Sequence, residues 1–182
     1  DSFALLAIPF FILAGNIMNQ GGIARRLIEF AKVIAGPLPG ALAHCNILAN
    51  MLFGAISGSA VSAAAAVGGI MSPIQKKEGY DPHYSAAVNI ASCPSGLLIP
   101  PSGVLILYAI VSGGTSVAAL FVAGYLPGLL MGLGLMSVAG LQAKRAGIAS
   151  TETVSFKDGL MKALDALPSL LLIVIVIGGI LQ

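Results

Sequence analysis

Charge is confined to four places in this chain: Asp1, the stretch Arg25 to Lys32, the stretch Lys76 to Asp81, and the stretch Lys144 to Asp165. Between them lie uncharged windows at 2–24, 33–75, 82–143 and 166–182, which are 23, 43, 62 and 17 residues long. An ionised side chain is costly in hydrocarbon, and a helix crossing its ~30 Å thickness needs ~20 apolar residues. Windows of this length restrict the chain to helices that cross or enter a bilayer. Composition agrees, with 57% hydrophobic and only 9% charged residues, against about 25% charged in soluble domains. A soluble globular domain and a disordered chain are excluded. A nucleic-acid binder is excluded too, because a net charge of +2 offers no field to attract phosphate.

The windows predict the passes. The first holds one spanning helix near 3–19, and the last holds one, or most of one, at 166–182. The window 82–143 holds two, near 84–111 and 117–141, divided by the turn Ser112-Gly113-Gly114-Thr115-Ser116. The window 33–75 is too long for one crossing and carries Ser57-Gly58-Ser59 near its middle. It is either two full helices with a very tight turn or a re-entrant hairpin at 46–75. Arms from Asn46 to Ile56 and Ala60 to Ile74 would be ~16–22 Å long, short of a full crossing. No aromatic or basic residue marks the tip as lying at a water interface, which favours the hairpin. A hairpin that returns to its starting face also puts all nine basic residues on one side, as the positive-inside rule requires of the cytoplasm.

Two segments read as amphipathic surface helices, at 22–35 and 155–165. In the first, Ile23, Leu27, Phe30 and Ile34 share a face, with Arg25, Arg26, Glu29 and Lys32 elsewhere; such a helix lies along the interface. The spacing of Asp1 to Gly15 repeats in Asp165 to Gly179, a trace of the kind inverted repeats leave in transporters. Both ends of the chain fall against apolar runs, as expected of a piece of a longer protein.

The helical backbone is predicted to break at membrane depth in two places. One is Ser57-Gly58-Ser59 and the other is the run from Ser92 to Ser102, which includes Pro94, Gly96 and Pro100-Pro101. Proline removes a backbone donor and clashes with the preceding turn. Unpaired carbonyls cost several kcal/mol each in lipid, so a break persists only where protein, water or an ion satisfies it. Freed carbonyls with serine hydroxyls form an oxygen cage for a small cation, and half-helix N-termini present N–H groups to an anion. One such kink reads as packing alone; two, each flanked by Ser and Gly, point to a binding site.

Other polar groups read as structural. Cys45 and Cys93 are small buried residues without ligand spacing to a metal. Asn46 and Asn50 share a helical face and are placed to brace the hairpin against the broken helix, whereas Asn16 and Asn89 are candidates for interhelical hydrogen bonds. His83 is expected to cap the broken helix. A Ser57–His44 pair would make an intramembrane serine protease, but no oriented base is evident. Gly124, Gly128 and Gly132 form a small-residue ridge for close packing, within the chain or against a partner.

The ordered series Phe53-Gly-Ala-Ile-Ser-Gly-Ser-Ala-Val61, Pro73, Lys76-Lys-Glu-Gly-Tyr-Asp81, Leu98-Ile-Pro-Pro-Ser102 and Leu120-Phe-Val-Ala-Gly-Tyr-Leu-Pro-Gly-Leu-Leu130 closely resembles the large membrane subunit of tripartite ATP-independent periplasmic (TRAP) transporters. Ile8-Pro-Phe-Phe-Ile-Leu-Ala-Gly15 and Gly21-Gly-Ile23 fit the same family. The resemblance implies an all-α polytopic membrane protein with a re-entrant hairpin and a discontinuous transmembrane helix, one half of an inverted-repeat, elevator-type transporter. Residues 1–154 would form the first-repeat region and 155–182 an interfacial helix and the start of the second repeat. Two helices would precede Asp1, and a second hairpin would follow Gln182. The implied activity is Na⁺-coupled import of organic acids across the bacterial inner membrane, with no enzymatic chemistry and no cofactor beyond the coupling ion. The partners would be a small membrane subunit and a periplasmic substrate-binding protein. By position, Ser57, Gly58, Ser59, Ser92, Ser95 and Gly96 match the sodium-binding elements, and Ser59, Ala60, Pro101 and Ser102 lie nearer the substrate. A single-component Na⁺-coupled carboxylate transporter with re-entrant hairpins is the alternative reading; a channel would need a continuous polar helix face, which no segment shows.

Overall fold

The computed structural model describes residues 13, 17, 20–148 and 156–181. All regular elements among the described residues are helices: α1 (Ile23–Ala35), α2 (Ala41–Ser57), α3 (Ala60–Lys77), α4 (Pro82–Leu98), α5 (Gly103–Val111), α6 (Val117–Ala146) and α7 (Phe156–Leu181). The helix expected near 3–19, Asn16, the Asp1 and Gly15 pair and the boundary at 154/155 lie outside the described residues.

Local chemistry sets the helix starts. Ser59, Asp81, Ser102 and Ser116 each accept a hydrogen bond from the backbone three residues on, at Ser62 (3.2 Å), Tyr84 (2.8 Å), Leu105 (3.4 Å) and Ala119 (3.3 Å). Such caps satisfy one of the donors that the first helical turn leaves free. The α4 cap is therefore Asp81 rather than His83. Pro82 occupies the first helical position, which puts His83 inside the first turn, where it cannot reach back to those donors.

Helix α2 is the centre of the fold. Apart from the partly exposed Leu48 and Leu52, every residue from Ala41 to Ser57 is buried, with α1, α3, α4 and α6 packed around it. Only Gly58 and Ser59 separate α2 from α3, which doubles back along it. At 17 and 18 residues the arms are ~26 and ~27 Å long, longer than the ~16–22 Å expected. Protein rather than lipid covers the additional turn of α2: a Cβ on Gly40 would meet Ala143 Cβ at 2.5 Å, and the His44 ring lies against Gly140.

Helices α2 and α4 run side by side in the same direction, and glycine allows their backbones to touch. A Cβ on Gly96 would stand 2.6 Å from Gly54 Cα and 2.7 Å from the Asn50 carbonyl oxygen. The second break is shorter than predicted. The α-helix continues through Cys93 and Pro94 to Leu98, and only Ile99 to Ser102 are irregular, with α5 leaving at 51° to α4. A single proline removes one N–H, which a helix tolerates. Pro100-Pro101 removes two in succession, and Pro100 drives Ile99 out of the helical region (ψ 123°).

Helix α6 runs antiparallel across both. Its glycine ridge seats the break, with Gly124 against the Leu98 carbonyl, Gly128 against Ile99 and Gly132 against Met51. The ridge therefore packs inside the chain. Its opposite face exposes Val122, Leu126, Leu130 and Leu133. Among the described residues α6 is the one helix long and apolar enough to cross a membrane, and α4 with α5 passes the same test as one bent span.

The surface helix at 22–35 forms, as α1, but buries a different stripe. Ala24, Leu27, Ile28, Ala31 and Ala35 are buried against α2 and α7, while Ile34 is 51% exposed. Its apolar arc is wide enough to serve two sides, and tertiary packing takes the alanine-rich one because small residues allow closer approach. The surface helix expected at 155–165 is continuous with the apolar segment after it, as α7; Leu160 and Leu164 are exposed and Gly159 and Ala166 buried. Ion pairs join α1 to α7: Glu29 accepts from Lys162 (2.8 Å) and Arg26 stands 3.8 Å from Asp165, while Lys32 of α1 itself also donates to Glu29 (2.8 Å). Burial pushes the Glu29 carboxyl up, but hydrogen bonds from Lys162 and Lys32 outweigh it and hold the group below the usual carboxylate range.

Gly96→Val drives a branched side chain into the α2 backbone at Gly54 and Asn50 and is expected to cost ~1–3 kcal/mol or more. Gly69→Ala, which meets nothing within 4 Å, is expected to gain ~0.5–1 kcal/mol from helix propensity. Thermal unfolding of the two full-length variants in detergent should shift in opposite directions.

Candidate functional site

The two helix breaks meet. A Cβ on Gly58 would lie 3.1 Å from the Gly103 backbone nitrogen, and one on Gly103 would lie 3.5 Å from the Gly58 carbonyl oxygen. Gly58 adopts φ 63°, a left-handed conformation in which glycine carries no steric penalty, and its N–H closes α2 on the Gly54 carbonyl at 2.8 Å. At this junction α2 and α4 end while α3 and α5 begin.

Four helix termini therefore converge. The last carbonyls of α2 and α4 have no partners within their helices, and the first N–H groups of α3 and α5 are likewise free of helical bonds. Carbonyl ends carry roughly −0.5 and amino ends roughly +0.5 of an elementary charge. One side of the junction thus suits a cation and the other an anion. The serine hydroxyls are engaged in building it. Ser57 donates to the Ser59 carbonyl (3.3 Å), and Ser59 and Ser102 cap α3 and α5. Ser57 and Ser102 are buried, whereas Val61, the second residue of α3, is 80% exposed.

The junction lies beside Gly124 and Gly128 of α6. These are seven and eleven residues into that helix, about 10–16 Å from its start and far from its Lys144-Arg145 end. Helix α5 covers the remaining depth and returns through Ser112 to Ser116 to begin α6.

Of the residues singled out in the sequence, Ser57, Gly58, Ser59, Ala60, Pro101 and Ser102 come together here. Ser92, Ser95 and Gly96 sit one to two turns further down α4. Gly96 is the contact point with Gly54, and the Ser95 hydroxyl donates to the Ser92 carbonyl. Ser92 belongs to a buried amide cluster. Asn50 Nδ2 stands 2.8 Å from Asn46 Oδ1, 2.9 Å from Asn89 Oδ1 and 2.8 Å from Ser92 Oγ. Asn89 in turn donates to the Ala64 carbonyl of α3 at 3.0 Å. Asn50 does brace α2 against the broken helix and Asn89 extends the brace to α3, whereas Asn46, expected to share that role, bonds only to Asn50 of its own helix. His44 is ~20 Å from Ser57 along α2, with Nε2 at the Pro39 carbonyl (3.2 Å), so these two never form a nucleophile–base pair.

Sequence reasoning did not single out Gly54 and Gly103. Gly54 precedes Gly58 by one helical turn and Gly103 directly follows Pro100-Pro101-Ser102, so the signal available was glycine spaced by a turn, or placed beside a break.

Residues 1–182 match the family model described as Tripartite ATP-independent periplasmic transporter, DctM component. The chain is 66% identical over 181 residues to the uncharacterized protein YgiK of Salmonella typhimurium, covering 100% of this chain and 42% of that protein. It is 44% identical over 180 residues to the C4-dicarboxylate TRAP transporter large permease protein DctM of Pseudomonas aeruginosa (99% of this chain, 42% of the relative). It is 40% identical over 180 residues to the sialic acid TRAP transporter large permease protein SiaM of Vibrio cholerae, with the same coverage. The chain spans about two-fifths of the length of these curated relatives. Two abutting helix breaks, the ordered motifs around them and a family match along the whole chain lead to one conclusion: this chain belongs to the DctM family of TRAP transporter large permease subunits.

Proposed function

We propose that this chain forms part of the membrane subunit of a Na⁺-coupled secondary active importer of organic acids. The single observation that carries this reading is the Gly58–Gly103 contact, which brings two helix C-termini and two helix N-termini to one point. Sodium binds on the carbonyl side, held by backbone oxygens of the α2 and α4 ends with the Ser57 hydroxyl. The substrate carboxylate binds on the amino side, at the first N–H groups of α3 and α5, near Ser59, Ala60, Pro101 and Ser102. Neutral oxygens suffice for a weakly charged monovalent ion, and the ion in turn offsets the carboxylate. The named relatives transport C4-dicarboxylates and sialic acid, which are carboxylates.

The hairpin is re-entrant in this reading, supported by the depth of the junction beside Gly124 and Gly128 of α6. All basic residues then face the cytoplasm of a multi-pass inner-membrane protein. Helices α2 to α4 travel as one body in an elevator-type movement, supported by the Gly54–Gly96 backbone contact. A periplasmic binding protein delivers the acid, and a small membrane subunit steadies the remainder.

Uptake by the full-length protein, reconstituted with its partners in proteoliposomes, tests the site. Ser57→Ala is expected to raise half-saturating sodium by about tenfold, since a hydrogen bond or ligand contact to a charge contributes ~1.5 kcal/mol. Gly58→Val is expected to abolish uptake, because it combines a left-handed φ with a side chain against Gly103. Unchanged sodium dependence in both variants rejects the assignment.

Labelling tests the depth. In a background with Cys45 and Cys93 replaced by alanine, Thr115→Cys should react with an impermeant thiol reagent from outside in every state. Val61→Cys should react only in states selected by sodium and substrate. Equal, immediate labelling of both positions in all states would remove the re-entrant hairpin.

A further inference from the structure

At Gly54 and Gly96 helices α2 and α4 meet backbone on backbone, and a contact without interlocking side chains does not by itself fix how far one helix slides along the other. Directional bonds are needed to set that register. The candidates are the amides below the glycine contact, since polar groups buried this deeply are strongly held to their partners.

Asn50 is 0% exposed, and its amide nitrogen meets α4 at two side chains, Asn89 Oδ1 (2.9 Å) and Ser92 Oγ (2.8 Å). Ser92 directs its own proton to the Asn89 carbonyl (3.0 Å), which leaves its oxygen free to accept. Asn50 Oδ1 faces Cys93 Sγ at 3.5 Å. Asn89 donates to Ala64 of α3, so one amide pair ties three helices. Asn46 stands differently. Its oxygen also faces Asn50 Nδ2 (2.8 Å), but its own Nδ2, though buried, has no partner among the described residues. The Asn50 amide has two hydrogens and three oxygens within 2.9 Å. One acceptor is in excess, and Asn46 is the one that reaches no other helix.

We propose that Asn50 is a positioning residue that sets the axial register of the hairpin on the broken helix, and so holds Gly58 opposite Gly103, while Asn46 one turn away is dispensable to that role. A slip of one residue moves a helix by ~1.5 Å along its axis, enough to part a contact so close that a Cβ on Gly58 would lie 3.1 Å from the Gly103 nitrogen.

The test compares Asn50→Leu with Asn46→Leu, two near-isosteric changes at buried positions on one face of one helix. In the full-length protein with Cys45 and Cys93 replaced by alanine, cysteines at positions 59 and 102 report the junction through a short bifunctional thiol cross-linker. Asn50→Leu is expected to lower cross-linking severalfold, and Asn46→Leu to leave it within about twofold. In the cysteine-replete protein, half-saturating sodium should rise roughly threefold to tenfold for Asn50→Leu only, the range of one interhelical hydrogen bond. This second readout rests on the sodium reading above. Altered cross-linking with unaltered sodium dependence would uphold the positioning role and reject the sodium site instead. Equal effects of the two substitutions on cross-linking, or none from either, overturn the inference. If Asn50→Leu does not reach the membrane, Asn89→Leu cuts the same tie from α4 and must reproduce its effect.

Discussion

An unpaired peptide group in an apolar interior is costly, and the whole arrangement of this chain turns on where two runs of such groups are tolerated. A helix end leaves carbonyls without partners and a helix start leaves N–H groups without partners. Placing the ends of α2 and α4 against the starts of α3 and α5 concentrates both kinds at one point. There, opposed dipoles stabilise one another, and a cation and an anion can complete them together. The rest of the fold serves that juxtaposition. Helix α2 is buried on almost every side so that its end is held firmly, and α6 crosses behind the break so that Leu98 and Ile99 rest on glycine rather than on lipid.

Close approach is bought with glycine and fixed with amides. Gly54 and Gly96 bring two backbones into contact, and Gly124 and Gly128 let the break settle onto α6. Contacts of this kind gain dispersion and tolerate little substitution, yet they leave sliding almost free. Asn50, Asn89 and Ser92 supply direction within the same interface without introducing charge. Ion pairs lie on the outer surface, where Glu29–Lys162 and Arg26–Asp165 join α1 to α7. These half-exposed pairs orient the peripheral helices and add little stability.

Much of this was legible in the residues. The uncharged windows limited the chain to membrane helices, Ser57-Gly58-Ser59 marked the hairpin turn, and Pro100-Pro101 marked the second break. What was less legible has physical causes. The break is shorter than the run from Ser92 to Ser102 because the one donor missing at Pro94 leaves the helix intact, whereas the two consecutive ones missing at Pro100-Pro101 stop it. The buried stripe on α1 differs from the one through Phe30 and Ile34 because its apolar arc is wider than one contact face, and which half is buried depends on neighbours. The cap of α4 went to Asp81 because Pro82 fixed the first helical position.

The sequence by itself determined that these helices belong in a bilayer, where they are interrupted, and which family they come from, because those properties follow from local hydropathy, from proline and glycine chemistry, and from ordered motifs. Only the tertiary structure decided that the two interruptions touch, that the glycine ridge faces inward, and that Asn50 rather than Asn46 bridges to α4. Those facts depend on the rotation and axial offset of one helix against another. No periodicity along a single strand of residues encodes an offset between two of them, so it emerges only when the packed backbones leave one set of polar atoms within reach.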